Sequence, residues 1–590
     1  LKRKFKKLLV LFNKQEKQRL LLLFFMMIIA ALLETISIGM IVPLVGVVTN
    51  PDIIHSHSIL STIYEFLNFQ STTQFLIISV LFMLLIFLLK NLYLLLFFFV
   101  QYSIILKQQV KLSSKLFKEY LKKPYKFHLQ NNSSDLLRNV TQEVSKVFQG
   151  VILAFFQLFT EILVIIFIVA LLFYTAPAAT LTASVLLGVS VFLFFKFFRK
   201  KISKLGKEQQ KVSGKMIKWV NQGLGASKEV KVSGKESFFV DAYTKESRIK
   251  ANNSRYMKML DQAPRLFIET LLVAIVLVTM LIIIFQGTNT TKIVSTMALF
   301  AMAAFRLMPS INRVIAMVTS IRYNYPAVDV VANDLLNIKD DTIKITNQPS
   351  KAMNYEGKIF SDSIKVSDVS FRYPNQKDYS VKDVSLSIPI GSSVAFIGES
   401  GAGKTTIVDI ILGLFKPEKG KVTVDDRDIF ELKKLWQQKI GYIPQFIFLS
   451  DDTIRGNIAF GVDSHNIDDK EVWRSLEQAQ LKEFVESLPE GLDTEVGERG
   501  VRLSGGQRQR IGIARSLYHN PEILFMDEAT SALDNNTEKE IMKAIDGLKG
   551  EKTLIIIAHR LSTTENCDIV YKLNKGRLIS IENKKERSIM

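Results

Sequence analysis

Cysteine is nearly absent: Cys567 is the only one in 590 residues. A lone thiol excludes an internal disulfide. No metal-ligand spacing surrounds it, so it reads as a small buried hydrophobe. Histidine is scarce, six in all, and the close pair His55 and His57 lacks carboxylate or thiol partners for a metal. Positive charge is missing from one long stretch, with no Lys or Arg between Arg19 and Lys90. Acidic residues are in deficit, 56 against 76 basic ones, which leaves a net charge of +20. The cations flank long apolar runs, which speaks against nucleic acid as a partner and for the cytoplasmic collar of a membrane protein beside anionic lipid. No repeat of solenoid length is present. The chain exceeds what one core can organise, so at least two domains are expected.

What the chain has in abundance is apolar sequence, 48% of the residues with 41 Phe, concentrated before about residue 320. Six segments are long enough to span a bilayer at 1.5 Å per residue, roughly 20–45, 74–102, 147–174, 178–198, 264–286 and 292–318. The first is too long for a signal h-region and lacks a cleavage pattern, so a retained anchor is expected. Lys-dense stretches at 107–126 and 196–258 contrast with cation-free turns at 174–177 and 287–291. The positive-inside rule then puts both termini in the cytoplasm. Ile59, Leu60, Ile63, Phe66 and Leu67 recur at helical spacing within 52–70, which predicts an amphipathic helix on the outer surface, with an ordered loop as the alternative. Two polar–aromatic pieces, 119–127 and 228–236, fall at the tips of the long cytoplasmic connections and are candidates for docking onto the second half.

Charges inside the spans are costly unless they face a partner or a wet cavity. Lys90, Arg265, Arg306 and Arg313 are the bases, with the last two seven residues apart on one helix face. Glu34, Glu161 and Glu269 are the available acids. Two readings stay open: salt bridges that lock helices, or a basic cavity wall for an anionic headgroup.

The transmembrane part is expected over 1–336, a polar linker over 337–362, and a soluble α/β domain over 363–590. The soluble part is organised around Gly-Glu-Ser-Gly-Ala-Gly-Lys-Thr at 398–405, between an apolar strand and an apolar-periodic helix. Gly398, Ser400, Gly401 and Gly403 let backbone N–H groups converge on phosphate, with Thr406 next to them. Lys404 is spaced to reach the β/γ-phosphates and Thr405 to ligate Mg²⁺. This is a nucleoside-triphosphate site. Asp527 ends an apolar strand where a Mg²⁺-coordinating carboxylate is needed, and Glu528 follows as a candidate general base. Gln445 ends another strand and is a candidate for metal or water. His559 is a candidate for the γ-phosphate, and Tyr373 either stacks on a purine or is a turn aromatic. A second glycine-rich helix start, Ser504, Gly505, Gly506 and Gln507, has no lysine loop of its own, so it should serve a nucleotide held by another copy.

In that order these residues resemble the ABC transporter superfamily, and the resemblance covers the whole chain. Tyr373 matches the A-loop, 398–405 Walker A, Gln445 the Q-loop, 503–507 the signature, Asp527 the end of Walker B, Glu528 the catalytic carboxylate, 531–534 the D-loop and His559 the H-loop. The resemblance implies an α-helical six-span transmembrane domain of the ABC exporter fold fused to a cytoplasmic α/β P-loop nucleotide-binding domain. It implies ATP and Mg²⁺ as cofactors and a second, identical half-transporter as partner. It also makes the two cytoplasmic tips coupling helices, with 494–499 resembling the X-loop. The membrane half is similar to bacterial flippases of lipid-linked oligosaccharides, the PglK type, through 34–43, 263–269 and 305–313. That similarity carries the basic cavity to Arg265, Arg306 and Arg313. At Lys90 a lysine stands where that family has arginine, which keeps charge but loses bidentate phosphate geometry. The implied function is ATP-driven transfer of a polyprenyl-pyrophosphate-linked oligosaccharide, or a similar anionic glycolipid, to the outer leaflet of a bacterial inner membrane. The alternatives are export of a drug, lipid or peptide by the same motor, and a regulatory protein without turnover, against which Glu528 and His559 argue.

Overall fold

The computed structural model describes residues 14–49, 51–52, 54, 58–67, 69–175, 177–285, 290–346, 360–374, 376–527, 535–558 and 564–584, with several helical positions, among them 282–285, 290–306 and 337–346, described by backbone only. The chain divides into two compact units, Leu1–Lys122 with Asn131–Asn347, and Lys123–Gln130 with Gln348–Met590.

The first unit is helical. α1 (Lys14–Gly39) and α2 (Ile41–Thr49) take up the first expected span. The break between them follows from Pro43, which has no N–H to offer the Gly39 carbonyl. α3 (Ser58–Phe66) lies inside the predicted amphipathic stretch 52–70 and is shorter than it; His55 and His57 lie outside the described residues. α4 (Thr72–Lys122) is followed by α5 (Tyr125–Gln130), which packs with the second unit. α6 (Ser133–Arg138) starts at an Asn132 cap, whose side chain accepts from the Ser134 N–H at 3.0 Å. Two π-helical stretches, Asn139–Glu143 and Lys146–Leu153, lead into α7 (Ala154–Thr175). α8 (Pro177–Gly225), α9 (Ser227–Ser233), α10 (Glu236–Phe285) and α11 (Thr290–Thr346) complete the unit.

Among the described residues, three helical stretches are long and apolar enough to cross a membrane: Lys14–Ser37, Thr72–Lys122 and Ser133–Tyr174. The expected spans 178–198, 264–286 and 292–318 include side chains outside the description. α11 runs to Thr346, past residue 337, where the polar linker was expected to open. Residues 337–346 contain no Gly or Pro to stop a helix.

α11 fits closely between two neighbours. An added Cβ on Gly150 would lie 2.4 Å from Asn324 Nδ2, and one on Gly206 would lie 2.0 Å from the Tyr323 carbonyl oxygen. Only glycine permits that approach. The Ser320 hydroxyl donates to the Gly150 carbonyl at 3.0 Å across the first of these contacts.

The second unit contains two sheets. One is antiparallel, in the order β2 (Val381–Pro389), β1 (Ser363–Phe371), β4 (Lys419–Val424), β5 (Arg427–Asp428). The other has the order β10 (Arg577–Asn583), β9 (Ile569–Asn574), β3 (Ser393–Ile397), β8 (Thr553–Ile557), β7 (Ile523–Asp527), β6 (Ile440–Ile443). Strands β9, β3, β8, β7 and β6 run parallel, and β3, β7 and β8 are almost continuously buried apolar runs, as a sheet covered on both faces requires. Cys567, expected as a small buried hydrophobe, is 3% exposed against this core, and burial pushes its thiol up to about 11.

Candidate functional site

Because β3, β8, β7 and β6 are parallel, their C-terminal ends open on one edge, where a doubly wound sheet binds ligands. The glycine turn leaves β3 there. Asp527 ends β7, and Gln445 follows the end of β6 by two residues on the neighbouring strand. The topology thus brings the 398–405 turn, Asp527 and Gln445 to one edge. Glu528, 531–534 and His559 lie outside the described residues.

The turn requires its glycines. Gly398 has φ 148°, and a Cβ there would lie 2.2 Å from the Leu573 carbonyl oxygen. Gly403 has φ 98° and caps α12 (Lys404–Ile411), with a would-be Cβ 2.7 Å from the Ser380 carbonyl oxygen. At Gly401 an added Cβ would meet nothing within 4 Å, so the concave side is open. Lys404 is 5% exposed, and its ammonium donates to the carbonyls of Gly398 at 2.8 Å and Glu399 at 3.1 Å. A buried ammonium that bonds mainly to carbonyls, at the mouth of a cradle of N–H groups, suits a phosphate.

A cavity of about 700 Å³ lies over this turn, lined by Tyr373, Ser400, Gly401, Gly403, Lys404, Thr405 and Thr406. Tyr373 forms its side wall, its hydroxyl 3.2 Å from Thr406 Oγ1, and burial raises the phenol above its ordinary value. Lys575 and Gly576, in the β9–β10 turn, also line the cavity. Sequence reasoning missed both, because that hairpin returns to the site from more than 170 residues away and carries no motif.

The edge is acidic. Burial first and the charge of Asp527 second push Asp409 up to about 7. Burial, then Asp527 and Asp409, raise Tyr442 as well. Asp527 at this edge is a carboxylate of the kind a hard divalent cation takes. Thr405 and Gln445 would complete the donor set.

Ser504 caps α13 (Gly505–Leu517) through a reciprocal capping box: its Oγ accepts from Gln507 N–H at 3.2 Å, and its own N–H donates to Gln507 Oε1 at 2.8 Å. Ser504 and Gly505 are exposed, and a Cβ on Gly505 would meet nothing. Within its own unit this second helix start therefore faces open space, with Gly506 and Gln507 half-buried behind it. Arg515, further along α13, donates to the carbonyls of Phe448 at 2.6 Å and Asn457 at 2.7 Å. It thereby ties α13 to the segment that follows Gln445.

In the helical unit the four expected bases enter from three helices. Lys90 on α4 sits 4.5 Å from the Phe87 ring centroid. Arg265 on α10 is exposed beside the buried Pro264. The side chain of Arg306 lies outside the description. Arg313 on α11 pairs with Glu161 of α7, Nε to Oε1 at 2.5 Å and Nη2 to Oε2 at 3.3 Å. For Arg313, then, a salt bridge is present. A separate apolar cavity of about 350 Å³ lies among α2, α3 and α4, lined by residues that include Met40, Leu44, Leu60, Phe75, Phe82 and Met83.

Residues 381–531 match the family model described as ABC transporter, and residues 53–308 the model described as ABC transporter transmembrane region. A protein of Cupriavidus pinatubonensis described as an ATP-dependent lipid A-core flippase is 31% identical over 80% of this chain and 78% of its own length. One of Cupriavidus metallidurans with the same description is 32% identical over 80% of this chain and 78% of its own length. The solved structure of a bacterial Atm1-family ABC exporter with ATP bound has a TM-score of 0.74, at 22% identity, over 98% of this chain and 96% of that one. With two family models in tandem, a full-length fold match and a nucleotide cradle built as above, the chain belongs to the ABC transporter family: it is an ATP-hydrolysing exporter with one helical transmembrane domain and one α/β nucleotide-binding domain.

Proposed function

We propose that this exporter is a flippase for an anionic glycolipid, with a polyprenyl-pyrophosphate-linked oligosaccharide as cargo, moving it from the inner to the outer leaflet of a bacterial inner membrane. Both termini and the ATPase domain face the cytoplasm in this reading. One observation carries it: basic side chains stay accessible within the apolar segments expected to span the bilayer. Arg265 is exposed, and the Arg313 side chain keeps 46% exposure while paired. Within a bilayer such groups persist where they face a wet cavity, and a phosphate-bearing headgroup is their natural counter-ion. The relatives described as lipid A-core flippases support a lipid cargo. A large polar headgroup does not cross hydrocarbon unaided, so a cationic aqueous path would lower the barrier while the tail stays in lipid.

The motor works on two copies. ATP is held by Tyr373, by the amides of 398–405, by Lys404 and by Thr406 of one copy, and by the Ser504–Gln507 turn of an identical partner. Thr405, Gln445 and Asp527 would hold Mg²⁺, which when bound supplies charge neutralisation at the phosphates. Glu528 accepts the proton of the attacking water and His559 contacts the γ-phosphate. Closure of the two cradles would drive the helices, and hydrolysis would reset them. The six spans and the division into 1–336 and 363–590 belong to the same reading.

A second reading, an exporter of amphipathic drugs, lipids or peptides, draws on the Phe- and Met-lined apolar cavity and on the Arg313–Glu161 pair. ATPase measurements on the reconstituted protein separate the two. Stimulation by pyrophosphate-linked glycolipid supports the first, and stimulation by hydrophobic drugs alone selects the second.

A further inference from the structure

The wall of the nucleotide cavity continues into an aromatic cluster that no motif announces. Phe415, 2% exposed, is stacked on Phe371 with ring centroids 5.0 Å apart and planes at 24°. The Tyr373 ring stands nearly perpendicular to both, at 5.5 Å and 84° to Phe415 and at 5.3 Å and 81° to Phe371. On Phe415 also rests Tyr125 of α5, 5.7 Å away. Phe415 reaches this position because the chain turns at Gly413, just past the end of α12, with φ +79°, where the Gly413 and Leu414 N–H groups donate to the carbonyls of Ile410 and Asp409. One short helix thus holds Tyr373 twice: Thr406 at its start meets the hydroxyl, and Phe415 just past its end packs against the ring.

We propose that Phe415 is a positioning residue that presets the Tyr373 ring for the nucleotide base and, through Tyr125, lets α5 sense whether a base is present. The inference rests on Tyr373 as the base-stacking residue. A phenol held at its hydroxyl and packed against Phe415 has little rotamer freedom left to lose when a base binds. Phe415 is buried and packed at interior density, so a shift of Tyr373 cannot be absorbed there and passes on to Tyr125.

The test compares ATP with inorganic tripolyphosphate, which carries the phosphates without the base, on the full-length protein in nanodiscs with Mg²⁺. Tyr373→Ala should weaken ATP binding about tenfold, the scale of one base–aromatic stack, and leave tripolyphosphate unchanged. Phe415→Leu, which keeps apolar volume, should weaken ATP severalfold, again without effect on tripolyphosphate, and Phe415→Tyr should restore it. A fluorophore on Lys126→Cys, which labels selectively because Cys567 is buried, should respond to a non-hydrolysable ATP analogue and not to tripolyphosphate. Adding Tyr125→Ala should erase that difference. If Tyr373→Ala binds ATP normally, the base-stacking reading itself fails. If Tyr373→Ala weakens ATP while Phe415→Leu does not, or weakens both ligands equally, the positioning role is overturned. A label that responds alike to both ligands overturns the sensing role.

Discussion

Arg313 and Glu161 form a two-point ion pair between α11 and α7, with Glu161 only 8% exposed. Taking the arginine away leaves a carboxylate with little solvent and no cation in place of its partner. Arg313→Met should therefore lower the thermal midpoint of the purified protein by several degrees, the scale of about 1–3 kcal/mol once the partial exposure of the pair is allowed for. Glu161→Gln in the same background should recover part of the loss. Scanning fluorimetry in detergent reads both, and equal midpoints for all three proteins would remove the pair from any structural role.

Gly398→Ala places a methyl 2.2 Å from the Leu573 carbonyl oxygen at a φ that L residues avoid. The strand ends around the phosphate loop must shift to admit it. ATP affinity should fall by at least about tenfold, since the cradle amides no longer converge. Gly401→Ala, where the new Cβ meets open space, should cost less. Equilibrium binding of a fluorescent ATP analogue ranks the two.

Glu528→Gln should cut ATP turnover by about a hundredfold or more while nucleotide binding persists, as expected for loss of a general base. The variant should also accumulate as a nucleotide-bound dimer, because the joined cradles no longer reset. Steady-state hydrolysis and size-exclusion chromatography report the two effects. A variant that hydrolyses at the parent rate would assign the base elsewhere.

Asp409 carries a pH signature. Its folded-state value, near 7, lies above the ordinary 3.8 because burial and then Asp527 disfavour its charge. An acid whose value rises on folding contributes stability that is complete below the unfolded value and is lost as pH climbs through the folded one. With nucleotide and Mg²⁺ absent, the unfolding midpoint of the nucleotide-binding domain should fall between about pH 4 and pH 7. Asp409→Asn should flatten that slope, and an unchanged slope in this variant would assign it to other groups.

Much of the motor was legible in the sequence, because its chemistry is local. The 398–405 turn, the 503–507 helix start and the strand ending at Asp527 each depend on residues within a few positions of one another. The features that escaped depend on distant partners or on helix continuity. Lys575 and Gly576 reach the cavity through a hairpin far along the chain, and Phe415 matters only because Phe371, Tyr373 and Tyr125 converge on it. The polarity of 337–346 gives no sign that α11 runs on to Thr346. Glu161 was visible as an available acid, but no spacing rule singles out Arg313 from 152 residues away as its partner.

The most direct measurement of the account is ATP-dependent exposure of a polyprenyl-pyrophosphate-linked oligosaccharide on the outer face of proteoliposomes. The parent protein should expose the headgroup. The paired change Arg306→Ala with Arg313→Ala should abolish exposure and cargo-stimulated ATPase together, while Glu161→Gln, which leaves the cation in place, retains both. Undiminished flipping by the paired variant would contradict a cationic route for the headgroup.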